Sequence, residues 1–202
     1  MTAVTLDLEY QILIAITLDL LIGDPRWFPH PVKIIGTFAS LLETPFRRIF
    51  RNPGLAGIMT AITVISATAA AAYGAVRGAY LIHPLVGEFI SIILLYTCFA
   101  ARDLAEHAMA VYKSLVRNDL SDARSRVSFM VGRDTDQLDE AEITRAAVES
   151  VAENTVDGVT APVFFAVLGG PVAAMIYKSV STLDSTFGYR NARYLEFGWA
   201  SA

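Results

Sequence analysis

Long apolar runs separated by short polar stretches dominate the hydrophobic pattern of the chain. No charged residue occurs between Arg51 and Arg77, an interval long enough for a helix to cross about 30 Å of hydrocarbon. A second apolar run extends from Tyr80 to Ala101, and a weaker one from Leu8 to Ile22. We therefore predict three membrane helices in the first half of the chain.

A fourth apolar run, Val159 to Tyr177, is free of charge but contains Pro162 and the sequence Gly169-Gly170-Pro171. Glycine and proline at these positions predict a break or kink in any helix. A full crossing would also place the polar residues after Tyr177 on the opposite side from the other polar stretches. We therefore expect this segment to be broken or re-entrant and to return residues 178–202 to the cytoplasmic side.

The polar stretch 102–158 is itself predicted to be helical. Its first helix starts near Arg102 and stops around Asn118-Asp119, because apolar residues recur there at helical spacing. Ser121 is interpreted as the N-cap of a shorter helix that ends before Gly132.

A third helix is predicted in this stretch from about Glu140 to Val156. Asp139 followed by Glu142 has the spacing of a capping box, and Gly158 is a plausible C′ residue. Together these patterns predict an all-α polytopic membrane protein with three or four membrane segments. It would form a single membrane domain, 1–202, with the helical cytoplasmic loop 102–158 inside it.

Composition supports a place in a bilayer. Hydrophobic residues make up 54% of the chain and charged residues only 18%, against about 25% in an ordinary soluble domain. The net charge of −4 and the dispersed Lys and Arg exclude a nucleic-acid partner, which requires a concentrated basic face. We expect a multi-pass protein of the cell membrane whose partners include the lipid bilayer.

Lysine and arginine are distributed unevenly among the loops. They are frequent between the first and second runs and again between the third and fourth, whereas Arg77 is alone between the second and third. By the positive-inside rule, the first and third loops are cytoplasmic and the second is outside.

Three carboxylates, Glu149, Glu153 and Asp157, stand at i, i+4 and i+8 just before the fourth apolar run. Like charges one helical turn apart repel, so we expect a cation among them. Carboxylates suit Mg²⁺, which commonly shares its shell with phosphate oxygens and water. A solvated helix face with an Arg145 to Glu149 pair is the alternative.

Three other polar clusters lie at predicted membrane boundaries. One is a stiff, proline-rich loop that displays Asp24, Arg26 and His30, or that simply terminates a helix. Another is the Arg133-Asp134 turn, whose alternative is a local ion pair. The third lies between Lys178 and Arg190, with Asp184 and two hydroxyl residues, and its alternative is an N-capped interfacial helix.

In order along the chain, these clusters resemble the motifs of the adenosylcobinamide-phosphate synthases, the CobD/CbiB family of cobalamin biosynthesis. The matching motifs are Gly23-Asp24-Pro25 with Pro29-His30-Pro31, Val131-Gly132-Arg133-Asp134-Thr135, Glu149-Ser150-Val151-Ala152-Glu153-Asn154 with Asp157-Gly158, and Thr182-Leu183-Asp184-Ser185 with Gly188-Tyr189. The resemblance covers the chain from Asp19 to Trp199. Ser181 departs from it, because Asn is the more frequent family residue at that position.

The resemblance implies an ATP-dependent ligase that joins adenosylcobyric acid to aminopropanol, ethanolamine or one of their phosphates. Its substrates would be a corrinoid and an amino alcohol, with ATP and Mg²⁺. It also implies further residues after Phe197-Gly198-Trp199-Ala200, so we expect the chain to be truncated at its C-terminus. A second copy of the chain or other membrane proteins of the corrinoid pathway are expected as partners.

On this hypothesis, Glu149, Glu153 and Asp157 organise Mg²⁺ and nucleotide, and Asp184 accepts a proton from the attacking ammonium. Substrate binding is assigned to a larger set of polar residues, namely Asp24, Arg26, His30, Arg133, Asp134, Asn154, Lys178, Tyr189 and Arg190.

Two other classes of function stay open from the sequence. A transporter is suggested by Asp19 and Glu88, because an acid inside an apolar segment often lines a pathway. A non-catalytic membrane sensor of the same fold is the other alternative.

Overall fold

The computed structural model describes residues 6–25 and 30–202 of the chain. All regular elements within these residues are helices. Three helical stretches are long and apolar enough to cross a membrane: Pro53–Ile82, Pro84–Val116 and Glu140–Phe187. The predicted all-α polytopic fold class is confirmed.

Helices α1 (Leu8–Ile22), α3 (Pro53–Ile82) and α4 (Pro84–Tyr96) form the apolar bundle. His83 joins α3 to α4 as a tight hairpin, and its Nδ1 accepts the Leu85 N–H at 3.2 Å. At the other end of α4, the Tyr96 hydroxyl donates to the Gly23 carbonyl, just after α1. Because α1 and α4 run parallel and α3 runs antiparallel to them, the first and third loops lie at the same end of the bundle.

Helix α2 (Pro31–Ile49) was not predicted from the sequence. Proline is tolerated at the first helical position because the N–H of that residue makes no bond within the helix. Helix α2 can therefore begin at Pro31, the last proline of the proline-rich loop. Ile35, Ala39 and Glu43 form its buried face, at a spacing of four residues. This face packs on α3 and on the last long helix, residues 161–187.

The third loop contains helices α5 (Ala101–Val116), α6 (Leu120–Ser128) and α7 (Glu140–Thr155). They surround a small core of their own, formed by Val111, Ala123, Val127, Ile143 and Ala146. The predicted capping box of α7 is confirmed, with the Glu142 N–H donating to Asp139 Oδ1 at 2.8 Å.

Two predicted helix boundaries in this loop are wrong. Asp119, not Ser121, caps α6, and its Oδ1 accepts the Asp122 N–H at 2.9 Å. Gly158 does not end α7, because it does not adopt the positive φ of a C′ glycine. The chain instead continues through a π-helical turn, Val156–Thr160, into α8 (Ala161–Phe187).

Helix α8 is broken at Gly169 and Gly170, where Gly170 has φ +65°. A straight helix would separate residues 157 and 177 by about 30 Å. The Tyr177 hydroxyl nevertheless donates to Asp157 Oδ1 at 2.8 Å, and the rings of Phe165 and Tyr177 stack at 4.9 Å. The segment therefore doubles back, as the re-entrant prediction required, and residues 178–189 return to the level of Asp157.

Candidate functional site

A cavity of about 760 Å³ opens where α5, α7, the π-helical turn and the second half of α8 meet the start of α2. Polar side chains are frequent in its wall, including Asp103, His107, Ser150, Glu153, Asn154, Asp157, Lys178, Ser181, Thr182, Asp184, Ser185, Thr186 and Tyr189. Apolar contacts come from residues such as Val32, Leu104, Phe129 and Met130. The cavity is therefore both acidic and partly apolar.

Asp157 is the most firmly held acid of this wall. It is half-buried in the π-helical turn and accepts the hydrogen bond from Tyr177 across the α8 hairpin. The same turn directs the Gly158 carbonyl to the Ala100 N–H at 3.0 Å, which fixes the start of α5 against it. Single π turns of this kind often occur at functional sites, because they redirect one side chain of a helix.

Asp184 lies on the returning half of α8, in the wall that also carries Lys178 and Ser181. The Gly188 N–H donates to the Asp184 backbone carbonyl at 2.7 Å and closes the helix. A Cβ atom at residue 188 would overlap the Asp184 carboxylate. Glycine at this position therefore makes room for the acid.

Asn154 and Ser150 attach α7 to the turn after α6. Ser150 Oγ donates to the Met130 carbonyl at 2.8 Å, and Asn154 Nδ2 donates to the Ser150 carbonyl at 2.9 Å. Asn154 thus lines the cavity, and its assignment to substrate binding stays a prediction.

The structure adds Asp103 and His107 of α5, which the sequence reasoning missed. His107 Nε2 lies 3.6 Å from Asp103 Oδ2, and both residues line the cavity. The sequence signal was their i, i+4 spacing, but α5 was interpreted from its apolar residues alone.

Several predicted site residues lie elsewhere. Glu149 does not line the cavity and pairs instead with Arg133 at 3.5 Å, while Asp134 accepts the Asp136 N–H at 3.0 Å. Arg190 is exposed and also outside the cavity wall. The structure therefore brings together only part of the predicted set: Glu153, Asn154, Asp157, Lys178, Asp184 and Tyr189.

The proline-rich loop has a structural role at its C-terminal end. His30 Nδ1 accepts the Val32 N–H at 3.3 Å and so caps α2, while His30 Nε2 lies 3.4 Å from Asp24 Oδ1. Arg26, also predicted to bind substrate, is outside the described residues.

Among the described residues that line the cavity, acidic side chains outnumber basic ones. Asp103, Glu153, Asp157 and Asp184 face one ammonium group, that of Lys178. Within residues 6–25 and 30–202, however, no group of three or more His, Cys, Asp or Glu side chains could hold a metal ion. The predicted ligand set of Glu149, Glu153 and Asp157 is therefore not assembled, because Glu149 points to Arg133 and the π-helical turn shifts Asp157 relative to α7.

The two acids that suggested a transporter are both engaged in local structure. Asp19 Oδ2 accepts the Ala101 N–H at 2.8 Å, at the start of α5. Glu88 Oε1 accepts the Leu6 N–H at 2.8 Å, before α1. Asp19 thus bonds the first residue of α5 and Glu88 bonds the residue before the N-cap of α1, while Asp19 Oδ1 is buried without a hydrogen-bond partner among the described residues.

The segment after α8 is fixed by a buried acid of α2. Glu43 Oε2 accepts from Arg193 Nη2 at 2.8 Å, and Glu43 Oε1 accepts from Arg47 Nε at 2.9 Å. Burial raises the pKa of Glu43, but these two guanidinium groups outweigh it and hold the pKa below its usual range. The cluster anchors the chain directly after Gly188 and Tyr189, at the edge of the cavity.

Comparisons with known proteins agree with the family resemblance of the sequence motifs. The model of the CobD/Cbib protein family matches residues 12–202. The cobalamin biosynthesis protein CobD of Geobacter metallireducens is 53% identical over 95% of this chain and 60% of its own length. The CobD of Pelobacter propionicus is 48% identical over 94% of this chain and 58% of its own.

A relative that carries the other name of the family, CbiB, is also similar to this chain. The cobalamin biosynthesis protein CbiB of Salmonella typhimurium is 44% identical over 94% of this chain and 60% of its own length. The chain thus spans about three fifths of the length of these relatives. No solved structure matches it at a significant level. With a family match from residue 12 to residue 202, the chain belongs to the CobD/CbiB family.

Proposed function

We propose that the protein acts in cobalamin biosynthesis at the cell membrane, as an ATP-dependent ligase. It would attach aminopropanol, ethanolamine or one of their phosphates to a carboxylate of adenosylcobyric acid through an amide bond. The observation that carries the proposal is the cavity, whose wall contains Asp157, Lys178 and Asp184 because α8 doubles back on the π-helical turn. The names of the relatives support the pathway, and the chemistry of the wall supports the reaction.

Amide formation from a carboxylate requires activation, most simply as an acyl phosphate made from ATP. The Lys178 ammonium is suited to a phosphate oxygen, because it is the one lysine or arginine group among the described residues that line the cavity. The acids of the wall are suited to the ammonium group of the amino alcohol. Asp184 binds that ammonium and is one candidate acceptor for its proton.

Mg²⁺ fits this wall only as a shared ion. Glu153 and Asp157 would supply carboxylate oxygens, and the phosphates of ATP and water would complete the shell, which is the usual manner of Mg²⁺ binding. When bound, the ion would neutralise charge on the transferred phosphate. The hydroxyl and apolar residues of the cavity remain available for the corrinoid side chain and the amino alcohol.

The location of the cavity is consistent with this use of ATP. It lies at the end of the bundle that carries the first and third loops, which the positive-inside rule assigns to the cytoplasm. Nucleotide would therefore reach it without crossing the bilayer. A second copy of the chain, or another membrane protein of the pathway, would approach from the surfaces outside this cavity.

Rescue of a bacterial strain that lacks the synthase tests the proposal. Because the chain spans about three fifths of the relatives' length, both this chain and one extended to that length are assayed. We expect ATP-dependent cobinamide formation, and we expect Asp157→Asn and Asp184→Asn to abolish it. Glu140→Gln, at an exposed acid in the first turn of α7, is the control and should retain activity.

Absence of rescue by the extended, membrane-inserted chain would reject the ligase proposal and favour the non-catalytic sensor. Full activity of Asp157→Asn and Asp184→Asn would remove these two acids from the site.

A further inference from the structure

His107 lies on α5 at the open side of the cavity, with its side chain 45% exposed, and lines the same cavity as the acids of the π-helical turn and of α8. Its Nε2 is 3.6 Å from Asp103 Oδ2, one helical turn earlier, so the ring has a carboxylate partner. His107 is the one imidazole in the cavity wall formed by the described residues. None of the motifs that carry the family resemblance contains it.

We propose that His107 accepts the proton of the substrate ammonium, and that Asp103 is the positioning residue for its ring. The proposal rests on the ligase function proposed above. An amine attacks only after it loses its proton, and an ordinary alkylammonium holds that proton far above neutral pH. An imidazole nitrogen is a stronger base than a carboxylate oxygen, so it is the better acceptor for this proton.

The charged groups around the His107 ring have roles different from that of the ring itself. Asp103 faces the ring from its own helix, and Glu153, Asp157, Asp184, Lys178 and Tyr189 line the cavity from the other elements. Asp157 already accepts a hydrogen bond from Tyr177. The acids therefore attract and hold the ammonium, while the imidazole removes the proton.

The atoms balance in the following steps. The ammonium gives one proton to His107 and becomes an amine. Its lone pair forms a bond to the carbonyl carbon of the acyl phosphate, and the bond from that carbon to the phosphate oxygen breaks with its electrons on phosphate. The phosphate takes the second proton from nitrogen and leaves as hydrogen phosphate, and His107 returns its proton to water.

The experiment compares His107→Ala, His107→Gln and Asp103→Asn in the extended, membrane-inserted chain described above. We expect His107→Ala to lower kcat by about 100-fold or more, with little change in the KM for ATP. Added imidazole should restore part of this loss, because it fits the space left by the side chain. In His107→Gln, kcat/KM should depend less on pH than in the unmodified protein, and Asp103→Asn should alter this dependence.

Glu106→Gln is the matched control, because Glu106 is the adjacent residue on α5 but pairs with Arg102 at 2.7 Å outside the cavity. It should keep the activity and the pH profile of the unmodified protein. Full activity of His107→Ala would overturn the role proposed for His107. A loss of activity that imidazole does not rescue, and that leaves the pH profile unchanged, would overturn it too. Either result leaves the ligase proposal in place. An unmodified protein without amide formation would overturn the ligase proposal, and this inference with it.

Discussion

At the scale of single residues, the cavity depends on side chains that are held by specific neighbours. Tyr177 holds Asp157 through its hydroxyl, and Asp103 stands beside His107. Gly188 makes room for the carboxylate of Asp184. Asp157 therefore derives its position from a contact across the α8 hairpin, whereas Asp103 and Asp184 have neighbours four residues away.

Gly188→Ala should impair activity. The new Cβ atom would overlap the Asp184 carboxylate and lie 2.6 Å from the Asp184 backbone carbonyl oxygen, so both the acid and the end of α8 must shift. We expect kcat/KM to fall at least about tenfold, which corresponds to about 1.4 kcal/mol of transition-state stabilisation. Gly78→Ala is the control, because a Cβ atom there meets open space. Equal activity of the two variants would contradict the steric role of Gly188.

Glu43 should make stability depend on pH. Its folded pKa lies below the usual value, because the guanidinium groups of Arg193 and Arg47 outweigh the effect of burial. The stabilisation is therefore fully present above the ordinary glutamate pKa of about 4.3, and it is lost as pH falls through the lower folded pKa.

At neutral pH, Glu43→Gln should lower the free energy of unfolding of the detergent-solubilised protein by about 1–3 kcal/mol. The measurement is its thermal midpoint, which should fall. The difference from the unmodified protein should shrink as the pH falls below the ordinary glutamate pKa and through the lower folded pKa of Glu43. Glu140→Gln, at an exposed residue, should show no such convergence. A constant difference across this pH range would show that the Glu43 charge does not contribute.

At the scale of elements, the α8 hairpin and the π-helical turn decide which residues meet. The break at Gly169 and Gly170 returns α8 to Asp157, and the π-helical turn joins α7 to α8 without a loop. A regular helix through either position would carry Lys178 and Asp184 away from Asp157. The local backbone irregularities therefore create the cavity.

Gly170→Ala tests the hairpin. Gly170 has φ +65°, a left-handed conformation that costs a residue with a side chain about 1–2 kcal/mol. A Cβ atom at this position has space, with Leu8 Cδ1 at 3.7 Å, so the backbone conformation is the main cost. We expect a lower thermal midpoint than in Gly78→Ala, whose helical site accepts alanine readily. Unchanged stability of Gly170→Ala would argue against the break.

At the scale of the whole molecule, the end of the bundle that carries the cavity also carries the first and third loops. Tyr96 contacts Gly23 at this end, and Arg193 contacts Glu43. The hairpin between α3 and α4 places His83 at the opposite end. This arrangement gives the membrane topology a direct test.

Single cysteines in a Cys98→Ala background should reveal the side of each loop to an impermeant thiol reagent. Ser185→Cys and Ser125→Cys, both at exposed residues, should react from the same side of the membrane. His83→Cys, at the other end of the bundle, should react from the opposite side. Labelling of Ser185→Cys together with His83→Cys would contradict the re-entrant path of α8.

The sequence by itself determined the apolar helices, the capping box of α7 and the break at Gly169-Gly170, because each depends on residues close together along the chain. It also contained the motifs of the CobD/CbiB family. Composition alone indicated a membrane protein, because charged residues make up only 18% of the chain, against about 25% in an ordinary soluble domain.

Only the tertiary structure decided which polar residues share a cavity. Glu149 follows the helical spacing of the acids but faces Arg133, whereas Asp103 and His107 join the cavity from a different helix. Periodicity describes one helix at a time, and a cavity is formed by the packing of several helices. The positions of the π-helical turn and the hairpin, which depend on those packed contacts, therefore selected the residues that meet.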